Sequence, residues 1–332
     1  MIATEYLNYE DGKFSKSRGT GVFGNQAKET GISADVFRFY LLYVRPESQD
    51  SSFSWDDFLL KNNSELLNNL GNFINRALMF LSTNFDGVVQ EMNLNDDDKE
   101  LLALINRELQ TYIENMEQAI LRDSIRNIMS ISRLGNQFMQ ANKPWVLVKS
   151  NEADKARAGT VVSLSANIAN LLSVLLNPYM PATSQTIQTQ LNTPADTNVM
   201  YREFVCHLPP GHKIGKPSPL FQKIDPSKIE ELKNKYAGEP APEKAAPKKG
   251  DKLPAQAPAS NGPVNSAEVD SLTDEVSKQG LVVRDLKTKK AEKSLIDVEV
   301  AKLLELKKRL ALAQGINPEQ AVGGGKKKGK KK

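Results

Sequence analysis

Apolar residues recur along much of the chain at three- and four-residue steps, the period of one face of an α-helix. Between Ser33 and Val44 the run SADVFRFYLLYV sets Val36, Phe37, Phe39, Tyr40 and Tyr43 at that spacing behind a capping serine. Arg45-Pro46 stops it. The next stretch, KNNSELLNNLGNFINRALMFL, repeats Leu66, Leu67, Leu70, Phe73, Ile74, Ala77 and Leu81 and predicts one longer helix with a single buried stripe. Its other face holds Asn68, Asn69, Asn72 and Arg76. Asparagine is a mediocre helix former, so that face is either simply solvated or selected for hydrogen bonding. Two more helices are predicted over 97–120 (Leu101, Leu104, Ile105, Leu109, Tyr112, Ile113, Met116) and 122–142 (Ile125, Ile128, Met129, Ser132, Phe138). Pro144, with Trp145 directly after it, breaks the second. A fourth, over 153–176, is small on one side and leucine-rich on the other, and Pro178 and Pro181 end it. Consecutive amphipathic helices with short connections read as an antiparallel bundle.

Then the pattern changes. From Ala237 to Pro263 there are six prolines and only Leu253 as a large aliphatic, too little apolar surface to offset the entropy of ordering the segment. Helical periodicity returns near Ser266 with Val269, Leu272, Val276, Val283 and Leu286, then Ile296, Val300, Leu303, Leu304 and Leu310, which predicts a helical hairpin. The expected organisation is a loop-bearing segment over 1–60, the bundle over 61–224, a disordered Pro/Ala/Lys linker over 225–265, the hairpin over 266–315 and a lysine-rich tail over 316–332. The fold class is mainly α.

Composition narrows the function. The 332 residues carry 44 lysines and arginines against 40 acids, a net +4, and six of the lysines fall in the last seven residues. Removing those six charges leaves −2, so the basicity is local and the chain is not a general nucleic-acid coat. One cysteine, Cys206, and two histidines, His207 and His212, exclude a disulfide framework and argue against a zinc site. The acidic, non-apolar N-terminus does not read as a signal or transit peptide, and no uninterrupted apolar run reaches about 18 residues, so no membrane partner is expected.

The candidate chemistry opens the chain. In Asp11-Gly12-Lys13-Phe14-Ser15-Lys16-Ser17-Arg18-Gly19, two lysines three apart stand among small residues. That combination suits a loop whose backbone approaches phosphate oxygens while ammonium groups supply point charge. By itself the pattern fits a lysine-bearing surface loop equally well.

KFSKS is similar to the KMSKS signature of class I aminoacyl-tRNA synthetases, with Phe14 in the methionine position. The stretch FRFYLLYVRPESQDSSFSWDDFLLKNNSELLNNLGNFINR, followed by NKPWVLVK, LLNPYMP and SPLFQKI, resembles the eukaryotic cytosolic methionyl-tRNA synthetases over about 5–224. QGLVVRDLKTKKAEKSLIDVEVAKLLELKKRL resembles the WHEP hairpin appended to several eukaryotic synthetases. The resemblance implies the end of a class I catalytic domain, a helical anticodon-binding bundle and a WHEP module in a cytoplasmic protein. It implies ATP as substrate, with Mg2+ in the intact enzyme, and an ATP-binding loop of Lys13, Phe14, Ser15, Lys16 and Ser17. Lys13 and Lys16 would be catalytic, meeting charge that builds on the phosphates in the transition state.

It further implies anticodon reading by Asn72 and Arg76, one helical turn apart, with Trp145 stacking on an unpaired base. Residue by residue, a core tryptophan, an internally bonded asparagine and an ion-paired arginine fit as well; Trp55 reads as core. Arg284, Lys287, Lys289, Lys290 and Lys293 would make salt-sensitive phosphate contacts to tRNA. The implied partners are methionine tRNA and, through the WHEP module, other synthetases of a multi-synthetase complex, with no DNA. The family's first signature, His-x-Gly-His, has no match here, and neither does its nucleotide-binding half. The chain is therefore expected to be a C-terminal portion that does not activate methionine alone. A non-catalytic tRNA-binding or scaffold product is the alternative.

Overall fold

A computed structural model describes residues 3–194 and 197–239 and a few single positions from 279 to 309. The chain forms two compact units, Met1–Glu243 and Lys244–Lys332. In the second, the described positions, among them Gln279, Val298, Glu299 and Lys302, are helical. The Gln279 side-chain amide donates to the Glu299 carbonyl at 3.2 Å, and Lys302 pairs with the Glu299 carboxylate at 2.7 Å. Arg284, Lys287, Lys289, Lys290 and Lys293, the expected linker beyond 239 and the lysine-rich tail lie outside the described residues.

The first unit begins with two strands that the hydrophobic pattern does not predict. β1 (Leu7–Tyr9) pairs in parallel with β2 (Ser51–Phe53), Leu7 opposite Ser51. Parallel neighbours need a crossover, and here it carries α1 (Gly24–Ala27) and α2 (Ala34–Tyr43). Three-residue strands are too short to show alternation. Ser33 caps α2 as expected, its hydroxyl accepting from the Asp35 amide at 3.3 Å.

A continuous helical run follows from Trp55 to Asn84: α3 (Trp55–Lys61), a wider-turned segment Asn62–Gly71, and α4 (Asn72–Asn84). The single predicted helix is present, but its first half is wound as a π-helix, the Asn72 amide reaching back to Leu67. A widened coil frees backbone acceptors and re-aims side chains. The Asn69 carbonyl accepts from Asn136 at 3.0 Å, and Asn62 and Asn63 turn their amides onto the returning chain at Gln222 and Ile224, 3.2 and 3.0 Å away. The asparagine-rich face thus divides. Asn69 donates to the Met129 carbonyl at 3.0 Å, whereas Asn68 and Asn72 face solvent.

The bundle comprises α5 (Asp96–Glu117), α6 (Leu121–Asn142), the short α7 (Pro144–Leu147), α8 (Glu152–Leu176) and α9 (Pro181–Leu191). α8 departs from the two-sided expectation: every residue from Ala158 to Asn170 is buried, because α4, α6, α7 and α9 all pack on it. It is long and apolar enough to cross a bilayer, yet 89% of its most apolar window lies inside the protein. Most of its buried polar side chains are bonded internally, the Asn167 amide bridging the Ser163 and Leu208 carbonyls at 3.0 and 3.2 Å, whereas Asn170 Oδ1 has no partner among the described residues.

The βαβ segment is fastened to the bundle by polar contacts. Arg38 donates to the carbonyls of Tyr179 and Pro178, both at 2.8 Å, and Asp35 accepts from the Thr183 amide at 2.7 Å. Finally α10 (Pro226–Lys235) occupies a stretch the sequence assigns to the linker. Asp225 caps it, and Ile229 and Leu232 are buried. Two apolar anchors beside a proline-rich tract are too few to register as a stripe.

Candidate active-site loop and nucleic-acid interface

The lysine-bearing loop leaves β1 through a tight turn in which Tyr9 and Gly12 exchange both backbone hydrogen bonds at 2.9 Å. It then forms a small hairpin closed by Ser15 and Thr20, whose bonds are 2.9 and 3.0 Å long. Lys13, Lys16 and Ser17 are exposed, and the Lys13 ammonium sits 5.7 Å above the Tyr6 ring. Ser15 is tied down by Arg18, whose Nε donates to its hydroxyl at 3.2 Å. Phe14 anchors the hairpin, its ring 5.2 Å from Tyr9 and 5.8 Å from Phe23. Gly21, at φ +102°, makes room for it: a Cβ there would lie 2.3 Å from the Phe14 ring. The result is an apolar root with two lysines presented to solvent, a geometry that can meet polyanionic charge without burying an ammonium.

Beneath it Trp55 is fully buried, as expected, with its indole N–H donating to the Tyr9 hydroxyl at 2.8 Å. Burial raises the Tyr9 phenol above its ordinary value.

The second site lies on the bundle. Lys143 ends α6 in a left-handed conformation (φ +46°), and Pro144 opens α7 at its first position. The residue before a proline is disfavoured in the right-handed helical region, so the chain turns here and presents Trp145 on a new axis. Trp145 is half-buried, and the Arg76 guanidinium lies 5.3 Å from its ring centroid. Arg76 also reaches Gln140 at 3.5 Å and has no carboxylate partner among the described residues. A groove of about 360 Å³ opens between Asn75, Arg76, Met79, Thr83, Met139 and Trp145. Asn72 is exposed one turn from Arg76 on the same helix. Two of the three expected readers therefore meet, and the third stands beside them on α4.

Asn75 is the residue that periodicity misses. Its Oδ1 is buried in the groove wall without a hydrogen-bond partner, and only the three-dimensional structure reveals that.

A hydrogen-bonded junction fixes these helices. Asn95 and Asp98 form a reciprocal cap on α5, and Arg157 of α8 grips the buried Asp98 carboxylate with two bonds of 2.5 and 2.8 Å. The same guanidinium donates to Asn142, at the end of α6, at 2.7 Å. The junction thus reaches Asn142, the residue before the Lys143–Pro144 turn. No group of acidic, histidine or cysteine side chains able to hold a metal ion occurs among the described residues.

A basic signature hairpin after the first strand of a βαβ segment that leads into a helical bundle is the arrangement of a class I aminoacyl-tRNA synthetase. Residues 1–78 match the model of tRNA synthetases class I (M), 88–241 the anticodon binding domain of methionyl tRNA ligase, and 272–322 the WHEP-TRS domain. The chain is 56% identical to the cytoplasmic methionine--tRNA ligase of Mus musculus over 329 residues, and 55% identical to that of Homo sapiens over 331. These alignments cover 99% and 98% of this chain but 36% of each relative, so the chain spans about a third of their length. The Saccharomyces cerevisiae counterpart is 45% identical over 245 residues, 72% of this chain and 32% of its own. Among solved structures, apo methionyl-tRNA synthetase of Mycobacterium tuberculosis superposes with a TM-score of 0.58 at 25% identity, covering 68% of this chain and 43% of the other. Its complex with methionyl-adenylate gives 0.59 at 27%, covering 65% and 42%. The chain belongs to the methionyl-tRNA synthetase family.

Proposed function

We propose that this chain supplies the signature loop and the anticodon-reading bundle of a cytoplasmic methionine--tRNA ligase, which joins methionine to its tRNA at the expense of ATP. The observation that carries the RNA-reading part is the Arg76–Trp145 stack over an open groove, with Asn72 one turn away. A guanidinium and an indole in contact offer what an unpaired base needs, a π-face and fixed donors. The buried Asn75 Oδ1 in the groove wall lacks a partner, which costs about 1–3 kcal/mol, so a small opening of the groove on binding would let a base-edge donor satisfy it.

In the loop, Lys16 at the hairpin tip and Lys13 at its root approach the phosphates of ATP, Lys16 foremost. Charge accumulates there as the methionine carboxylate attacks the α-phosphate, and a positioned ammonium stabilises that state more than the ground state. Phe14 holds the hairpin base, while Ser15 and Ser17 keep it narrow. Mg2+ accompanies ATP in the intact enzyme. The WHEP region forms a helical hairpin after a linker. Its cations Arg284, Lys287, Lys289, Lys290 and Lys293, with the lysine tail, add tRNA phosphate contacts, and the hairpin also offers a surface to other synthetases of a complex.

The test is a titration of the purified chain with methionine tRNA and with the same tRNA carrying an altered CAU anticodon, at physiological salt. Preference for CAU is expected, with Trp145→Ala losing about 1–3 kcal/mol of binding. Equal affinity for both tRNAs would leave only the basic C-terminal region in contact with RNA and favour a scaffold role.

A further inference from the structure

We infer that the four residues after α10, 236–239, form a strap that positions the signature hairpin, with Tyr236 and Gly238 as positioning residues for the loop that bears Lys13 and Lys16. The catalytic consequence rests on the function proposed above; the mechanical one does not.

The strap grips one arm of the hairpin by its backbone. The Gly21 amide donates to the Tyr236 carbonyl at 3.0 Å, and the Glu239 amide donates to the Arg18 carbonyl at 2.9 Å. Gly238, at φ +70°, lies against that arm so closely that a Cβ would stand 2.3 Å from Thr20 Oγ1 and 2.6 Å from both the Arg18 carbonyl and the Thr20 nitrogen. Two of those three obstacles are backbone atoms, so no rotamer change relieves the clash. Thr20 Oγ1 is itself buried without a partner. Polar and aromatic contacts anchor the strap from its α10 side. Lys233 pairs with Asp56 at 2.6 Å and Lys235 with Glu29 at 3.0 Å. The Tyr236 ring stacks on Trp55 at 6.2 Å, and its hydroxyl donates to the Gln26 carbonyl at 3.2 Å. Upstream, Asn62 and Asn63 guide the chain into α10 through Gln222 and Ile224.

The grip is one-sided. It holds residues 18–21, the arm leading away from the tip, while Lys16 and Ser17 stay exposed, and the two arms meet through the Ser15–Thr20 pair, the Arg18–Ser15 bond and the Phe14 ring against Gly21. A loop held this way keeps its direction while its tip moves, which a group that must follow phosphates through a reaction requires. Ground-state recognition of methionine is expected not to depend on it.

The test has two readouts on Gly238→Ala, with Tyr236→Leu as a second variant should the first fail to fold. In this chain, amide hydrogen exchange at Thr20 and Gly21 is expected to quicken about tenfold, with exchange in α5, α6 and α8 unchanged. Unaltered exchange at Thr20 and Gly21 in a folded variant would overturn the strap. The second readout uses a chimaera in which this chain replaces the matching region of the Mus musculus enzyme. There kcat for methionine-dependent ATP–pyrophosphate exchange is expected to fall about tenfold with KM for methionine unchanged. Faster loop exchange with unchanged kcat would overturn the positioning role. An inactive wild-type chimaera would instead speak against the function proposed above, and hydrogen exchange alone would then decide the strap.

Discussion

Gly135 shows how a single missing side chain shapes α6. It sits in the middle of α6, where alanine would be intrinsically better by about 1 kcal/mol. Yet a Cβ there would lie 2.4 Å from the Phe73 ring, which is fully buried and has no free side to retreat to. Overpacking wins over propensity, and Gly135→Ala is expected to lose about 1–3 kcal/mol of stability. Thermal unfolding would check this, and Phe73→Leu in the same chain should restore much of the loss. Phe73 lies between Asn72 and Arg76, so the same strain reaches the groove. At this scale the sequence distinguishes residue types better than environments. It places Trp55 in the core, where it is found, and a break at Pro144, where α6 gives way to the short α7 that carries Trp145. It cannot tell that Asn69 bonds within the fold while Asn72 meets solvent, because the Met129 carbonyl that decides the matter is 60 residues away.

At the scale of elements, the long helices were legible because their apolar stripes repeat over five or more turns. The strands, the π-winding and α10 were not. The strands are stabilised by a pairing across more than 40 residues, the π-turns by side-chain and backbone contacts from other segments, and α10 by docking rather than by a stripe of its own. The loop could be read from its residues because its chemistry is local, whereas its strap is not. The junction of α5, α6 and α8 has the same non-local character, since Arg157 meets Asp98 across 59 residues. Removing a buried carboxylate that caps one helix and pairs with another should be costly. Asp98→Ala is expected to destabilise the fold by about 2–4 kcal/mol, measured by urea unfolding, the range reflecting the partly exposed Arg157. Asp98→Asn, which retains an acceptor for the cap, should fall between it and the parent.

For the molecule as a whole, the buried tyrosines set a limit at alkaline pH. Burial is the first cause raising the phenols of Tyr9, Tyr40, Tyr112 and Tyr179, the last to about 12. A phenol near 10 in the unfolded chain and higher in the native one contributes stability that is intact below pH 10 and lost as pH climbs through the native value. Urea midpoints should therefore be flat from pH 8 to about 9.5 and fall by pH 11.5. Tyr112→Phe, which gives up the bond to the Leu175 carbonyl, should show a smaller fall. The central helix has a consequence of another kind, in the order of synthesis. α8 is apolar enough to be mistaken for a membrane anchor as it leaves the ribosome, but α4, α6 and α7, which enclose most of it, are translated first. Most of its sheath is already in place when it emerges, and α9, eleven residues long and four residues downstream, then closes over it, followed by the chain at Leu208. A circular permutation that placed α8 ahead of those helices would remove that protection while leaving every native contact available.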